Sequence, residues 1–407
     1  MGGRPLCTLV GGGRTSPDRA AFHNGAAVRY LDFNDSFMAP GETCHPSDNL
    51  APVLAAVEFA GGDGRDLIVS LAVAYQVQCR LSEVAPVRAK GFDHVTQGAY
   101  AAAAGTARGL GLDTTATANA IAIAGTAFNA LRVTRTGSLS NWKGLAYPNA
   151  AFGAVHAAFL ARAGLTGPAE VFEGNKGFMD TIAGPFSIDW ESEGLDAVMR
   201  TSIKRFNAEF HSQAVLEAVL ELRQEHRIDP GQIERVTVDV FQVAYDIIGG
   251  GEEGDKRLVR SKEEADHSLR YLVAVALLDG QVFPPQFAPE RIVAPDIQEL
   301  LPRIDVRPDP ELSARFPDQH PCRVRIGLTD GRVLTREKSD YLGFVTRPAA
   351  WSDVHDKFMR LVTPSAGESA AERIAQLVSE LERVRVEELC SLLESVGRFE
   401  AGGVDHE

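Results

Sequence analysis

The strongest constraint on the fold is a series of segments that are dense in alanine and carry glycine in their interiors. Residues 95–110, 113–131 and 147–163 have this character and contain few charged residues. Alanine has the highest helix propensity, and small side chains let neighbouring helices approach closely. We therefore predict a tightly packed all-helical domain. Earlier helices are predicted at residues 18–31, 50–63 and 65–84.

The pattern changes near residue 200, where strand signals begin. Residues 233–241 alternate between apolar and polar as a strand does. Asp330-Gly331 joins two alternating runs within residues 322–337, which indicates a β-hairpin. Residues 204–345 are therefore predicted to form an α+β unit. Further helices are predicted at residues 212–226, 266–279, 351–362 and 367–397.

Length, charge and cysteine usage exclude several classes of protein. The 407 residues exceed what one hydrophobic core usually supports, so we expect two domains. A net charge of −14 argues against binding to nucleic acid or to an anionic membrane. Five scattered cysteines without a Cys-x-x-Cys pair argue for a reducing compartment and against a metal site. Because no run of ~18 apolar residues and no leader-like start is seen, we expect a soluble, cytoplasmic protein.

Two polar loops between predicted helices each carry a histidine. The first runs from Asp35 to His45, which precedes a proline and so lies in extended backbone outside a helix. His94 stands at the start of a predicted helix, where the helix dipole favours the neutral ring and so a base that works near pH 7. Each loop is also interpretable as a plain capping loop, with Ser47 or Asp48 as the cap in the first and Asp93 as the cap in the second.

Two lysines stand in further polar turns. Lys143 lies between Trp142 and Gly144 in a stretch poor in charge, so an enclosed lysine and a solvated one are both open interpretations. Lys204 falls at the boundary between the two predicted units, where small-molecule clefts concentrate, but a surface basic pair with Arg205 explains it equally. The sequence has no Gly-x-Ser-x-Gly elbow of a hydrolase and no βαβ series of a dinucleotide-binding fold.

Taken in order, these segments resemble the MmgE/PrpD family. The matching motifs are Leu31-Asp32-Phe33-Asn34-Asp35, His45-Pro46-Ser47-Asp48-Asn49, Trp142-Lys143-Gly144, Phe210-His211-Ser212-Gln213 and Ala265-Asp266-His267-Ser268. The resemblance extends over most of the chain. It implies a mainly α fold, in which a large helical domain formed by residues 1–203 and 346–407 is interrupted by a smaller α+β lid domain of residues 204–345.

The resemblance also implies a homodimeric lyase of the 2-methylcitrate dehydratase type that uses no metal and no cofactor and acts on a small polycarboxylate. The residues that it assigns to the catalytic site are Asp35, His45, His94 and Lys143, and those that it assigns to substrate binding are Lys204 and Tyr271. Arg132 is added as a further cation that helps to hold the carboxylates.

A mechanism follows from this assignment. Dehydration removes a proton beside a carboxylate, so cations must stabilise the charge that develops there. We assign His94 as the base and His45, oriented by Asp35, as the acid, with the two roles interchangeable. The same groups are compatible with decarboxylation of cis-aconitate or with an epimerisation like that of iminodisuccinate. An inactive homologue that only binds carboxylates or dimerises is a further alternative.

Two departures from the family pattern bear on activity. The chain begins almost at the family's glycine-rich start, which predicts a shortened N-terminus. Residues 339–345 differ from the stretch expected in the lid, so we expect one of the lid's cations to be missing. Both departures favour the inactive alternative.

Overall fold

The computed structural model describes residues 4–137 and 139–396. Most of the secondary structure there is helical, with a small amount of β-sheet. This confirms the mainly α prediction. None of the helices in the described part of the chain is both long and apolar enough to cross a lipid bilayer. The first part of the chain contains α1 (Pro17–Tyr30), α2 (Leu50–Ala60), α3 (Gly64–Val84), α4 (Val95–Gly109), α5 (Thr114–Ala127) and α6 (Trp142–Arg162). Its two small antiparallel ribbons pair β1 (Cys7–Thr8) with β2 (Arg14–Thr15) and β3 (Phe37–Ala39) with β4 (Glu42–Cys44).

The alanine-dense helix α4 lies at the centre of this part. It packs against α2, α3, α5 and α6, and every one of its residues except Arg108 is buried. Close approach explains its glycines, since a Cβ at Gly98 would lie 2.4 Å from the ring of Tyr147. One predicted boundary is wrong: α6 begins at Trp142 instead of residue 147, so Lys143 lies in its first turn and not in a loop.

The second part is built around a four-stranded sheet. Its strands are β5 (Ile233–Val240), β6 (Ile304–Pro308), β7 (Cys322–Leu328) and β8 (Val333–Lys338), in the order β6-β5-β7-β8. β5 runs parallel to β6 and antiparallel to β7, and β7 and β8 form the predicted hairpin. The helices are α7 (Gln213–His226), α8 (Gln242–Ala244), α9 (Lys262–Ala265), α10 (Leu269–Asp279), α11 (Pro289–Ile292), α12 (Pro295–Leu300) and α13 (Pro310–Arg315). Helices α7 and α10 contact each other and the sheet, and together they bury its apolar residues.

The end of the chain returns to the first part as α14 (Trp351–Ala366), α15 (Glu368–Ser379) and α16 (Val386–Ser395). The prediction of one helix over 367–397 is wrong, because the chain leaves the helical conformation after Ser379, and residue 397 lies outside the described residues. At the break, the carbonyl of Val384 accepts a hydrogen bond from the backbone N–H of Gly64 at 2.8 Å. Helix α16 then packs on α2, so the first and last segments of the chain share one core.

The contact between Gly64 and the break gives a stability prediction. A Cβ at Gly64 would lie 1.7 Å from the carbonyl oxygen of Leu381, and a backbone atom is not free to rotate away. We expect Gly64→Ala to lower the free energy of unfolding by about 1–3 kcal/mol, the usual cost of overpacking. Urea denaturation measures this change.

The matched control is Gly144→Ala in α6, where an added Cβ meets no atom within 4 Å. Helix propensity alone then acts, and we expect the variant to be unchanged or more stable by about 0.5–1 kcal/mol. Equal stability of the two variants would contradict the packing of residues 381–384 against the start of α3.

Candidate active site

A narrow cavity of about 70 Å³ lies where the first part of the chain meets the second. Its walls carry many more charged and imidazole groups than apolar ones, although the chain as a whole is acidic. The histidines are His45, His94, His211 and His267, the cations are Arg88, Arg132, Arg135, Lys143 and Lys256, and the carboxylates are Glu42, Glu209 and Glu253. The cations needed for an anionic ligand are therefore gathered locally.

The predicted pair of histidines meets in this cavity. The ring centroids of His45 and His94 are 5.3 Å apart, and the rings meet edge to face. His45 Nδ1 lies 2.7 Å from the backbone carbonyl oxygen of Asp35. A carbonyl only accepts, so Nδ1 carries the proton and Nε2 keeps its lone pair. His94 Nδ1 lies 3.3 Å from a carboxylate oxygen of Asp93, and its Nε2 is buried with no hydrogen-bond partner among the described residues.

Both rings are held in the neutral form. Burial is the main cause, and the nearby Arg29 and Lys204 add to it at His45, whose pKa lies well below the usual value. At His94, burial together with Arg135 lowers the pKa to about 3, although Asp93 opposes the shift. His94 is therefore neutral, as predicted, but the main cause of its lowered pKa is burial and not its place at the start of a helix.

Asp35 lies near the site, but its carboxylate does not contact His45. The sequence interpretation had Asp35 orient His45, and in the structure its main-chain carbonyl does so. The carboxylate accepts a hydrogen bond from the backbone N–H of Ser47 at 3.0 Å, while the main-chain carbonyl of Asp35 orients His45. Burial raises the pKa of the Asp35 carboxyl above its usual value. The side chain therefore shapes the loop that carries His45 instead of facing the cavity.

Lys143 is the cation at the middle of a buried cluster. Its ammonium lies 3.7 Å from carboxylate oxygens of both Asp32 and Asp266, and 3.1 Å from Nδ1 of His267. The ligand atoms of these three partners lie within 4.8 Å of one another, a spacing that also suits a metal ion. Because the ammonium of Lys143 already contacts all three, it supplies the positive charge that balances the carboxylates there.

The remaining assigned residues divide between the cavity wall and its surroundings. Arg132 lines the cavity and pairs with Glu253 at 2.6 Å. Lys204 is 1% exposed and donates to the backbone carbonyl of Asp32 at 2.7 Å, so it stands behind the cavity wall. Tyr271 is buried in the second part, where its hydroxyl donates to the carbonyl of Gln286, and the structure does not bring it to the cavity.

Sequence reasoning left one arrangement out of the site. His211 Nδ1 lies 2.7 Å from a carboxylate oxygen of Glu209, and its Nε2 is a buried atom without a partner in the part of the chain that the structure describes. Burial would raise the pKa of Glu209, but His211 overrides it and lowers the value to about 2, so the carboxylate stays ionised. The signal in the sequence that could have indicated this pair is an acid, Glu209, two positions before a histidine, His211.

Two shared carboxylates fix the arginines of the wall. Glu253 pairs with Arg88 at 2.9 Å as well as with Arg132, and Asp93 contacts Arg132 at 3.8 Å and also pairs with Arg135. Each acid thus holds two arginines, and Arg132 is shared by both. Three arginines against two carboxylates leave a net positive charge. Three arginines pre-positioned in this way, beside neutral imidazoles, suit a ligand with several carboxylates that undergoes proton transfer.

Comparison with known proteins agrees with this class of site. The model of the MmgE/PrpD N-terminal domain matches residues 1–191, and that of the MmgE/PrpD C-terminal domain matches residues 206–383. The chain belongs to the MmgE/PrpD family.

Three curated relatives illustrate two activities. The cis-aconitate decarboxylase of Mus musculus is 27% identical over 93% of this chain and 78% of its own length. The 2-methylcitrate dehydratase of Cupriavidus necator is 29% identical over 82% of this chain and 72% of its own length. The 2-methylcitrate dehydratase of Escherichia coli (strain K12) is 30% identical over 77% of this chain and 67% of its own length.

Proposed function

We propose that this protein is a lyase that removes water from a small tricarboxylic acid of the 2-methylcitrate kind. The observation that carries the proposal is the meeting of His45 and His94, both neutral, with Lys143 and Arg132 around one cavity. The 2-methylcitrate dehydratases among the relatives support the choice of reaction.

The proposed reaction follows from these groups. Nε2 of His94 takes the proton from the carbon beside a carboxylate, and the charge left on that carboxylate is stabilised by Lys143 and Arg132. The electrons of the broken C–H bond form the C=C bond as the C–O bond breaks. His45 is neutral in the free protein and takes up a proton from solvent on Nε2 when the anionic substrate binds. The departing hydroxide takes this proton and leaves as water, and His94 then returns the proton from carbon to solvent. The histidines can exchange these roles. His211, held by Glu209, is a further proton acceptor beside them.

A second candidate is decarboxylation of cis-aconitate, because the mouse relative with that activity matches 93% of this chain. In that reaction the C–CO2 bond breaks, and a histidine that has taken up a proton from solvent protonates the resulting carbanion, while the same cations hold the remaining carboxylates. Epimerisation of iminodisuccinate and a catalytically inactive carboxylate-binding protein are the other outcomes to be distinguished.

The experiment is a comparison of 2-methylcitrate, citrate and cis-aconitate as substrates. We expect ultraviolet absorbance of an enoate to rise with 2-methylcitrate and no CO2 to be released. Release of CO2 from cis-aconitate would favour the second candidate. No turnover of any of the three acids would exclude both lyase candidates and favour the epimerase or the inactive homologue. A His94→Gln preparation controls for contaminating enzymes.

We further propose that residues 204–345 act as a lid. The cavity, at about 70 Å³, is too narrow for a seven-carbon acid such as 2-methylcitrate as the walls stand. Glu209, His211, Glu253 and Lys256 come from this segment, so its movement away from His45 would widen the cavity.

Catalysis is proposed to be independent of metal, because Lys143 supplies the positive charge between Asp32 and Asp266. We expect dialysis against a strong chelator to leave the dehydration rate unchanged within experimental error. Loss of activity that iron or zinc restores would show that this reading of the cluster is wrong.

The protein is also proposed to be a homodimer, as the family resemblance implies. Large apolar side chains at Leu131, Val133 and Trp142 are 58%, 70% and 49% exposed in the single chain, and a partner would cover such groups. Sedimentation at micromolar concentration should give twice the mass of the chain. A monomer at that concentration would contradict the proposal.

A further inference from the structure

A second and larger cavity, of about 410 Å³, lies on the other side of Lys204. It is formed where helix α14 faces residues 203–206 and 280–283, and it shares none of its lining residues with the candidate active site. The reaction proposed above makes no use of this space.

Two cations of α14 face this cavity, and each rests on an aromatic ring. The ammonium of Lys357 lies 3.8 Å from the ring centroid of Phe33, and the guanidinium of Arg360 lies 3.6 Å from that of Phe283. The two rings meet edge to face, with centroids 5.9 Å apart. Stacking of this kind holds a cation in place without neutralising its charge.

Neither of the two cations forms an ion pair in the part of the chain that the structure describes. Within residues 4–137 and 139–396, no carboxylate oxygen lies within 4.0 Å of the nitrogen atoms of Lys357 or Arg360, whose polar contacts are the carbonyl of Lys204 and the side chain of Gln281. Burial, with Lys204 adding to it, lowers the pKa of Lys357 to about 7, although the nearby Asp35 opposes the shift. A buried ammonium in this state gains from any anion that reaches it.

The other charged groups of the cavity do not compensate them. Asp353 accepts a hydrogen bond from the backbone N–H of Ala350 at 2.8 Å, and the side chain of Asp356 is 86% exposed. Arg205 is paired at 2.7 Å with Glu217, which does not line the cavity. The side chain of Lys204 is directed to Asp32. Lys357 and Arg360 are therefore the cations left for a ligand.

We propose that this cavity binds a small dicarboxylate, with one carboxylate on Lys357 and the other on Arg360. Side chains three residues apart on a helix stand about 5–6 Å from each other, which suits two carboxylates joined by a short carbon chain better than one compact anion. The ring of Phe283 lines the cavity and packs against that carbon chain.

Such a ligand is in a position to affect the candidate active site. Lys357 donates to the backbone carbonyl of Lys204 at 2.8 Å, and the side chain of Lys204 in turn contacts Asp32, a partner of Lys143. A carboxylate that engages Lys357 competes with the first of these bonds. This consequence rests on the proposed function, whereas the binding itself does not.

The test is calorimetric titration with succinate, using succinamide as the neutral analogue. We expect saturable binding of succinate to the wild type and to Lys143→Ala, and at least about 10-fold weaker binding to Arg360→Gln and Lys357→Met, the scale of one lost charge-assisted contact. Arg373→Gln, on the exposed face of α15, is the matched control and should bind as the wild type does.

Three results would overturn the proposal: no saturable binding of succinate at tens of millimolar, equal binding of succinamide, or binding that is lost in Lys143→Ala and kept in both cavity variants. Arg360 is exposed, so its substitution leaves the core intact and remains informative if Lys357→Met does not fold. The titration measures binding and not turnover. The succinate result can therefore be interpreted even if the protein does not dehydrate 2-methylcitrate.

Discussion

Replacement of Lys143 by alanine is expected to lower kcat by about 10²- to 10³-fold, the scale seen when one pre-positioned electrostatic donor is lost. The ammonium stands between two carboxylates and His267, with its side chain almost fully buried. Its charge helps most when the substrate carboxylate gains charge in the transition state. KM should therefore change much less than kcat, which steady-state kinetics will show.

The control for Lys143→Ala has to separate catalysis from folding, because the change leaves Asp32 and Asp266 without their shared cation. Lys176→Ala removes an exposed lysine and should keep wild-type rates. Added methylammonium should restore part of the activity of Lys143→Ala if the missing group is a positive charge at that point. A folded Lys143→Ala protein with near wild-type kcat would show that the lysine only balances the buried acids.

Replacement of His94 by glutamine is expected to lower kcat at least about 10²-fold, as for a lost general base. Its Nε2 is buried without a partner in the described structure, so the amide fills similar space without accepting a proton from carbon. Because burial and Arg135 lower the pKa of His94 to about 3, its ring stays neutral down to pH 5. Protonation of this ring should therefore cause no fall in kcat/KM between pH 8 and pH 5.

His226→Gln is the matched control for His94, since His226 lies at the end of α7 with 34% of its side chain exposed. It should turn over substrate at the wild-type rate. His45→Gln, measured in parallel, tests the second ring. If His94→Gln retains activity while His45→Gln does not, the roles of base and acid are to be exchanged.

The sequence predicted the fold best where local pattern and packing agree. Alanine-dense α4 and the hairpin of β7 and β8 were found because propensity, periodicity and turn residues all point the same way. The break between α15 and α16 was missed because its cause is distant: the backbone at Leu381 and Val384 rests on Gly64. No local signal in residues 367–397 reports that contact.

The candidate site shows the same division between local and distant information. The family resemblance assigns His45, His94 and Lys143 to the site, and the three do meet there. It also assigns Tyr271, which is packed in the core instead. The pairing of Arg88 with Glu253 joins segments 165 residues apart, and no sequence pattern shows it. Local concentration of cations in a chain of net charge −14 likewise becomes visible only in three dimensions.

The most direct test of the account is a crystal structure of the His94→Gln protein with bound 2-methylcitrate. We predict that the ligand occupies the cavity between His45 and His211, with carboxylates on Lys143 and Arg132. The proton-bearing carbon should lie about 3–3.5 Å from the side chain at position 94, the distance required for transfer. A ligand bound elsewhere, or bound here with its carboxylates away from Lys143, would contradict the account.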